Sequence, residues 1–153
     1  MDIKDLLEKA KELLIRDKKL MPVLFIETEK ETHIIGLISD FNKIDKREMM
    51  ANIGRDYAKK KQKIISVSLV CEANVSKIKI DDESLEKCEA IVVAKLNAVT
   101  NKKELITQEF EISNGDVIFK GGPKELDSQR LFLLDAFMQG YEKLNFEFNF
   151  KLN

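Results

Sequence analysis

The stretch Leu105-Ile106-Thr107-Gln108-Glu109-Phe110-Glu111-Ile112-Ser113-Asn114-Gly115-Asp116-Val117-Ile118-Phe119-Lys120 decides the fold class. Asn-Gly is the pair best suited to a two-residue hairpin turn, because both central positions of that turn need positive φ. It sits between two runs rich in strand formers. The register it implies is self-consistent. Ile112 falls opposite Val117 and Phe110 opposite Phe119 on one face, with Glu109 opposite Lys120 on the other. A helix across residues 104–120 would contradict this reading outright. Gly121-Gly122-Pro123 then ends the meander.

Working outward from the hairpin, Ala90 to Val99 is apolar on both faces at its start, through Ile91, Val92, Val93 and Ala94, as a central strand should be. Ile64 to Ala73 alternates, with Ile65, Val67, Leu69, Cys71 and Ala73 facing one way. The periodicity fails from Asn74 to Lys87, which holds Asp81-Asp82-Glu83 and reads as a surface loop. Val23 to Ile26 and His33 to Ile38 flank a polar stretch and read as a second hairpin.

The helices follow from a period of 3.6. Ile3, Leu6, Leu7, Ala10, Leu13 and Leu14 mark a first helix over 3–20, with Asp2 as its cap and Pro22 beyond its end. Asp45 and Glu48 have capping-box spacing for a second helix over 45–61, and Ile44 can staple onto Met49. Its stripe is Met49, Met50, Ile53 and Tyr57. Gly54 inside it costs about 1 kcal/mol relative to Ala, a cost that close approach to a sheet would explain. Strand, helix and strand in this order suggest a crossover. A third helix over 128–143 is capped by Asp127 or Ser128. It is apolar around most of its circumference at Leu131, Phe132, Leu133 and Leu134. Leu144-Asn145-Phe146-Glu147-Phe148-Asn149-Phe150-Lys151-Leu152 alternates and predicts a half-buried terminal strand. The expected fold is α+β: one domain over 1–153, with a mixed, mainly antiparallel sheet of six or seven strands and helices packed against it.

Composition narrows the function. The chain has 153 residues, 26 Lys plus Arg, 27 Asp plus Glu, and a net charge of −1. That balance disfavours nucleic acid as a partner, whose phosphates call for a basic excess. The one dense basic run, Lys59, Lys60, Lys61 and Lys63, falls at a helix end, where cations complement the helix dipole. No stretch approaches the roughly 20 apolar residues that span a bilayer, and Met1-Asp2-Ile3-Lys4-Asp5 has no apolar leader core. Two cysteines without CxxC spacing read as small buried hydrophobes of a cytoplasmic protein, with neither zinc nor a disulfide expected. No cofactor is expected.

Candidate chemistry is sparse, and the expectation leans away from an enzyme. The run Gly121-Gly122-Pro123 lacks the Lys-Ser/Thr that would hold a nucleotide, so it reads as a turn. His33, with Glu27, Glu29 and Glu31 just upstream, reads as a solvated turn in preference to a metal site. Glu72 closes a central strand, and Asp40 falls near the same sheet end if the crossover is real. Two carboxylates there could hold a divalent ion or serve as acid and base.

Met21-Pro22-Val23-Leu24-Phe25, Glu72-Ala73, Glu89-Ala90-Ile91-Val92-Val93, Leu134-Asp135-Ala136-Phe137 and Gly140-Tyr141 together resemble a loosely defined group of small uncharacterised prokaryotic proteins. Asn74 stands where such proteins often have an aromatic residue. The resemblance implies this layout and no activity.

Two function classes follow. One is a cytosolic, non-enzymatic interaction module that self-associates as a homodimer or higher. Its surface would be Leu131, Phe132 and Leu133 of the third helix or Phe146, Phe148 and Phe150 of the terminal strand. The other is a small enzyme or divalent-metal-dependent ligand binder using Glu72 and Asp40.

Overall fold

The computed structural model describes residues 1–37, 45–78, 85–127 and 130–152. In chain order the elements are α1 (Ile3–Asp17), β1 (Val23–Thr28), β2 (Thr32–Gly36), α2 (Lys46–Lys59), β3 (Ile64–Ile78), β4 (Leu85–Asn97), β5 (Lys103–Ser113), β6 (Asp116–Leu126) and α3 (Phe132–Leu152). The strands form one six-stranded sheet in the order β2-β1-β3-β4-β5-β6, and every neighbouring pair is antiparallel. This is the expected α+β class with six strands. Because β2 and β3 both run antiparallel to β1, they are parallel to each other, and α2 carries the chain across the intervening β1.

The sheet is covered on both faces. On one, α1 lays Ile3, Leu6, Leu7, Ala10 and Leu14 onto Val70, Ile91, Val93, Ile106 and Phe110. These helix positions recur every three or four residues, so they share one stripe. Asp2 accepts the Lys4 amide at its start, and Lys18 closes it in the left-handed conformation (φ 59°). On the other face, α2 and α3 pack on Leu24, Ile26, Val67, Leu69, Ala94 and Leu96. Strand alternation assigns the two sets: Val67, Leu69 and Cys71 of β3 point toward α2 and α3, and Val70 points toward α1.

The turn at Asn114-Gly115 sets the anticipated register, with Ile112 opposite Val117, Phe110 opposite Phe119 and Glu109 opposite Lys120. Both turn residues have positive φ, 53° and 82°. The meander does not end at Gly121-Gly122-Pro123, however, and β6 continues to Leu126. Thr107 pairs with Lys124 and Glu109 with Lys120, so Gln108 alone faces the bulged Gly121, Gly122 and Pro123. Gln108 is buried, and its amide donates to the carbonyls of Lys120 and Gly121. Its side chain thereby satisfies carbonyls that the bulge takes out of the ladder. Pro123, lacking an N–H, is tolerated because β6 is an edge strand.

Four further expectations are corrected. The region 74–87 is not a loop throughout: β3 runs on to Ile78 and β4 begins at Leu85, with Lys77 in register with Glu86. Backbone pairing carries the ladder past the point where apolar alternation fades. The terminal strand at 144–152 is instead helix, the second half of α3. Leu144, Phe148 and Leu152 are four residues apart, as are Phe146 and Phe150, so the alternation also fits a helix. No Gly or Pro between Tyr141 and Leu144 stops the helix begun at Phe132. That start lies after Asp127 and is capped from within, since the Asp135 carboxylate accepts the Leu131 amide at 3.0 Å. Finally, α1 ends at Asp17, short of residue 20.

At the start of α2 the Asp45 carboxylate accepts the Arg47 and Glu48 amides, as the capping-box spacing predicts. The staple partner Ile44 and the expected cap Ser128 lie outside the described residues. Gly54 answers to a helix rather than to the sheet. A Cβ on it would lie 2.1 Å from the Phe137 carbonyl oxygen of α3, and one on Gly140 would lie 2.1 Å from that of Ala51 in α2. The two glycines let the helix backbones touch.

Candidate functional site

Polar chemistry concentrates where β2 meets α2. His33 lies on the same face of β2 as Ile35, turned toward α2 and α3, and its ring is 5.5 Å from that of Tyr57. The Tyr57 hydroxyl stands 2.5 Å from His33 Nδ1, and Glu31 Oε1 stands 2.8 Å from Nε2. A carboxylate only accepts, so Nε2–H donates to Glu31, and in the neutral imidazole the phenol then donates to Nδ1. Burial pushes the Tyr57 phenol above its ordinary pKa, and the Glu31 carboxylate adds to the effect. A nucleophilic tyrosine needs the opposite shift. The array therefore joins α2 to the sheet edge. Phe137, with its ring centroid 6.2 Å away, backs Tyr57 from α3.

Of the glutamates grouped with His33 in sequence, Glu31 stays beside it and the other two are drawn elsewhere. Glu27 accepts from Ser66 Oγ at 3.0 Å and lies 3.6 Å from the N-terminal amine, and Glu29 pairs with Lys63 at 3.4 Å. No cluster of three potential ligands occurs among the described residues. The pairing of His33 with Tyr57 was readable only in part. The parity of His33 with Ile35 points it inward, but nothing local says that Tyr57 meets it.

Glu72 lies on the α1 side of β3, in register with Ile91, where its carboxylate accepts the Leu20 amide at 2.5 Å. It thus holds the segment joining α1 to β1. Asp40, its proposed companion, lies outside the described residues. Glu72→Ala is expected to cost about 1 kcal/mol, the usual net value of one such bond. Glu72→Gln, which keeps an acceptor, should lie closer to wild type in urea unfolding. Equal stability of all three proteins would show that the contact contributes nothing.

Cys71 and Cys88 are both free. Cys71 is in register with Val92 and Cys88 with Val75, four residues apart along the ladder and so about 13 Å distant, too far to bridge. Burial raises the Cys71 thiol from 9.0 to about 11, partly opposed by Lys46 and reinforced by Glu72. With the folded value raised, the unfolded chain loses this proton first, so the contribution is present below pH 9 and lost as pH climbs toward 11. The loss amounts to about 2–3 kcal/mol. Cys71→Val is expected to flatten the fall in stability between pH 9 and 11, read as urea midpoints at several pH values. An unchanged slope would refute the assignment.

The remaining feature is a surface. Leu131, just ahead of α3, and Leu134 within it are buried, and Leu133 packs against the core between α2 and the sheet. Phe132 is 60% exposed, with the Arg47 guanidinium 5.2 Å over its ring. Phe146, Phe148 and Phe150 belong to the helical second half of α3. On the α1 side of the sheet, α1 packs over β3 to β6. On the same side Ile34 of β2 is 67% exposed beside half-buried Phe25, its partner in register. Thr32, Ile34 and Gly36, which alternate with inward-facing His33 and Ile35, carry no charge.

No helix among the described residues is long and apolar enough to cross a membrane. Comparison with known proteins finds no match among family models, curated proteins or solved structures.

Proposed function

We propose that the chain is a self-associating interaction module, a homodimer that joins through the β1–β2 margin of its sheet. The observation carrying this reading is Ile34, a large β-branched side chain left two-thirds exposed on an outer strand that has no Lys, Arg, Asp or Glu. Solvent-facing edges ordinarily carry Lys, Pro or a bulge to deter pairing. The opposite edge, β6, has Pro123, the Gly121 bulge, Lys120 and Lys124.

The competing reading, a carboxylate site for a divalent ion or for acid–base work, draws less support. Glu72 is engaged with Leu20, and Glu31 and Tyr57 both hold His33. Against nucleic acid, the run ending at Lys63 caps α2, and Lys63 is paired with Glu29. The free thiols favour a reducing, cytosolic setting.

Sedimentation velocity from about 1 to 100 micromolar tests the proposal, a range suited to a small interface. A dimer is expected to grow with concentration and to be abolished by Ile34→Lys, while Phe132→Ala leaves it intact. A monomeric mass throughout would sink the reading.

A further inference from the structure

The main-chain pattern of β2 specifies how two copies would meet. Leu37 N donates to Pro22 O and Thr28 N donates to Glu31 O, at 2.8 and 2.9 Å, so these residues bracket the β1–β2 ladder as hydrogen-bonded pairs. In an antiparallel ladder, bonded and non-bonded pairs alternate. Leu24–Ile35 and Ile26–His33 are therefore the bonded pairs between them, and Val23–Gly36, Phe25–Ile34 and Glu27–Thr32 are not. It follows that the N–H and C=O of Thr32, Ile34 and Gly36 point away from β1, off the end of the sheet.

We infer that β2 pairs antiparallel with β2 of a second copy about a two-fold axis through Ile34, making one continuous sheet. This rests on the self-association proposed above and adds its register. Ile34 would exchange both hydrogen bonds with its own counterpart. Thr32 would do so with Gly36 of the other copy on either side, which satisfies every outward group of the strand. The axis stands perpendicular to the sheet, so both copies present the same face. A strip Phe25–Ile34–Ile34–Phe25 then closes over the seam on the α1 side. Charge permits a like partner: the three outward-facing residues are uncharged, so two copies meet there without repulsion.

The test is disulfide trapping in a Cys71→Val, Cys88→Ala background. A bonded antiparallel pair holds its Cα atoms about 5.5 Å apart, within disulfide range. Ile34→Cys is expected to oxidise to a covalent dimer. Thr32→Cys and Gly36→Cys should each form no disulfide alone and cross-link when mixed, and a Cβ on Gly36 meets nothing within 4 Å. Ile34→Pro removes only an outward N–H and should yield a folded monomer. Ile34→Lys provides the same readout should the proline variant not fold. A dimer by sedimentation that fails to cross-link at position 34 would overturn this register while leaving self-association standing. A monomer at every concentration would overturn both and favour an extended strand of another protein as the occupant.

Discussion

Phe137→Ala is expected to destabilise the fold by about 3–5 kcal/mol, the range for removing a fully buried aromatic ring. Phe137 has no exposed surface, lies where α3 meets both α2 and the sheet, and backs Tyr57. A domain of this kind has only about 5–15 kcal/mol in total, so one substitution removes a large part. The void would also loosen Tyr57, whose ring packs beside Phe137, and near-ultraviolet circular dichroism should report the change. Phe137→Leu should cost distinctly less. A change below about 1 kcal/mol for Phe137→Ala in urea unfolding would mean that α3 is not seated as described.

The second large effect has the opposite sign from helix propensity. Gly→Ala in an open helix stabilises by about 1 kcal/mol. At Gly140 the new methyl would fall 2.1 Å from the Ala51 carbonyl oxygen, and at Gly54 the same distance from that of Phe137. The obstacles are backbone atoms, so no rotamer change relieves them and the helices must part. Gly54→Ala and Gly140→Ala are each expected to destabilise by about 2–3 kcal/mol, as overpacking does. Because the sites are neighbours, the double variant should cost less than the sum: once the helices separate for one methyl, the second finds room. A gain in stability for either single variant would disprove the contact.

The chain announces its local structure better than its long-range structure. Asn114-Gly115 specifies a hairpin and its register within sixteen residues, and Asp45 specifies a helix start through its own carboxylate. Gly54 shows only as a helix flaw, because the reason for it, Phe137, is far off in sequence. The alternation from Leu144 to Leu152 suits either a strand or a helix. What decides it is the absence of a stop after Tyr141, a non-local property of the whole helix. The same holds for the candidate sites. His33 and Glu31 are two residues apart and could be grouped by eye. Tyr57 joins them, and Leu20 joins Glu72, only through the fold.

The bulge that Gln108 supports at Gly121 acts beyond its own strand. A sheet open at both edges can recruit a copy at each end, and nothing then limits the number of chains: the outcome is a filament. Here Pro123 and the distorted β6 withhold main-chain donors at one end, while β2 offers them at the other. Joining two β2 strands consumes both receptive ends at once and leaves only the two refusing ones outermost. Assembly by the proposed route would therefore stop at two chains, with the Gln108 amide, far from the seam, helping to keep the outer edges irregular.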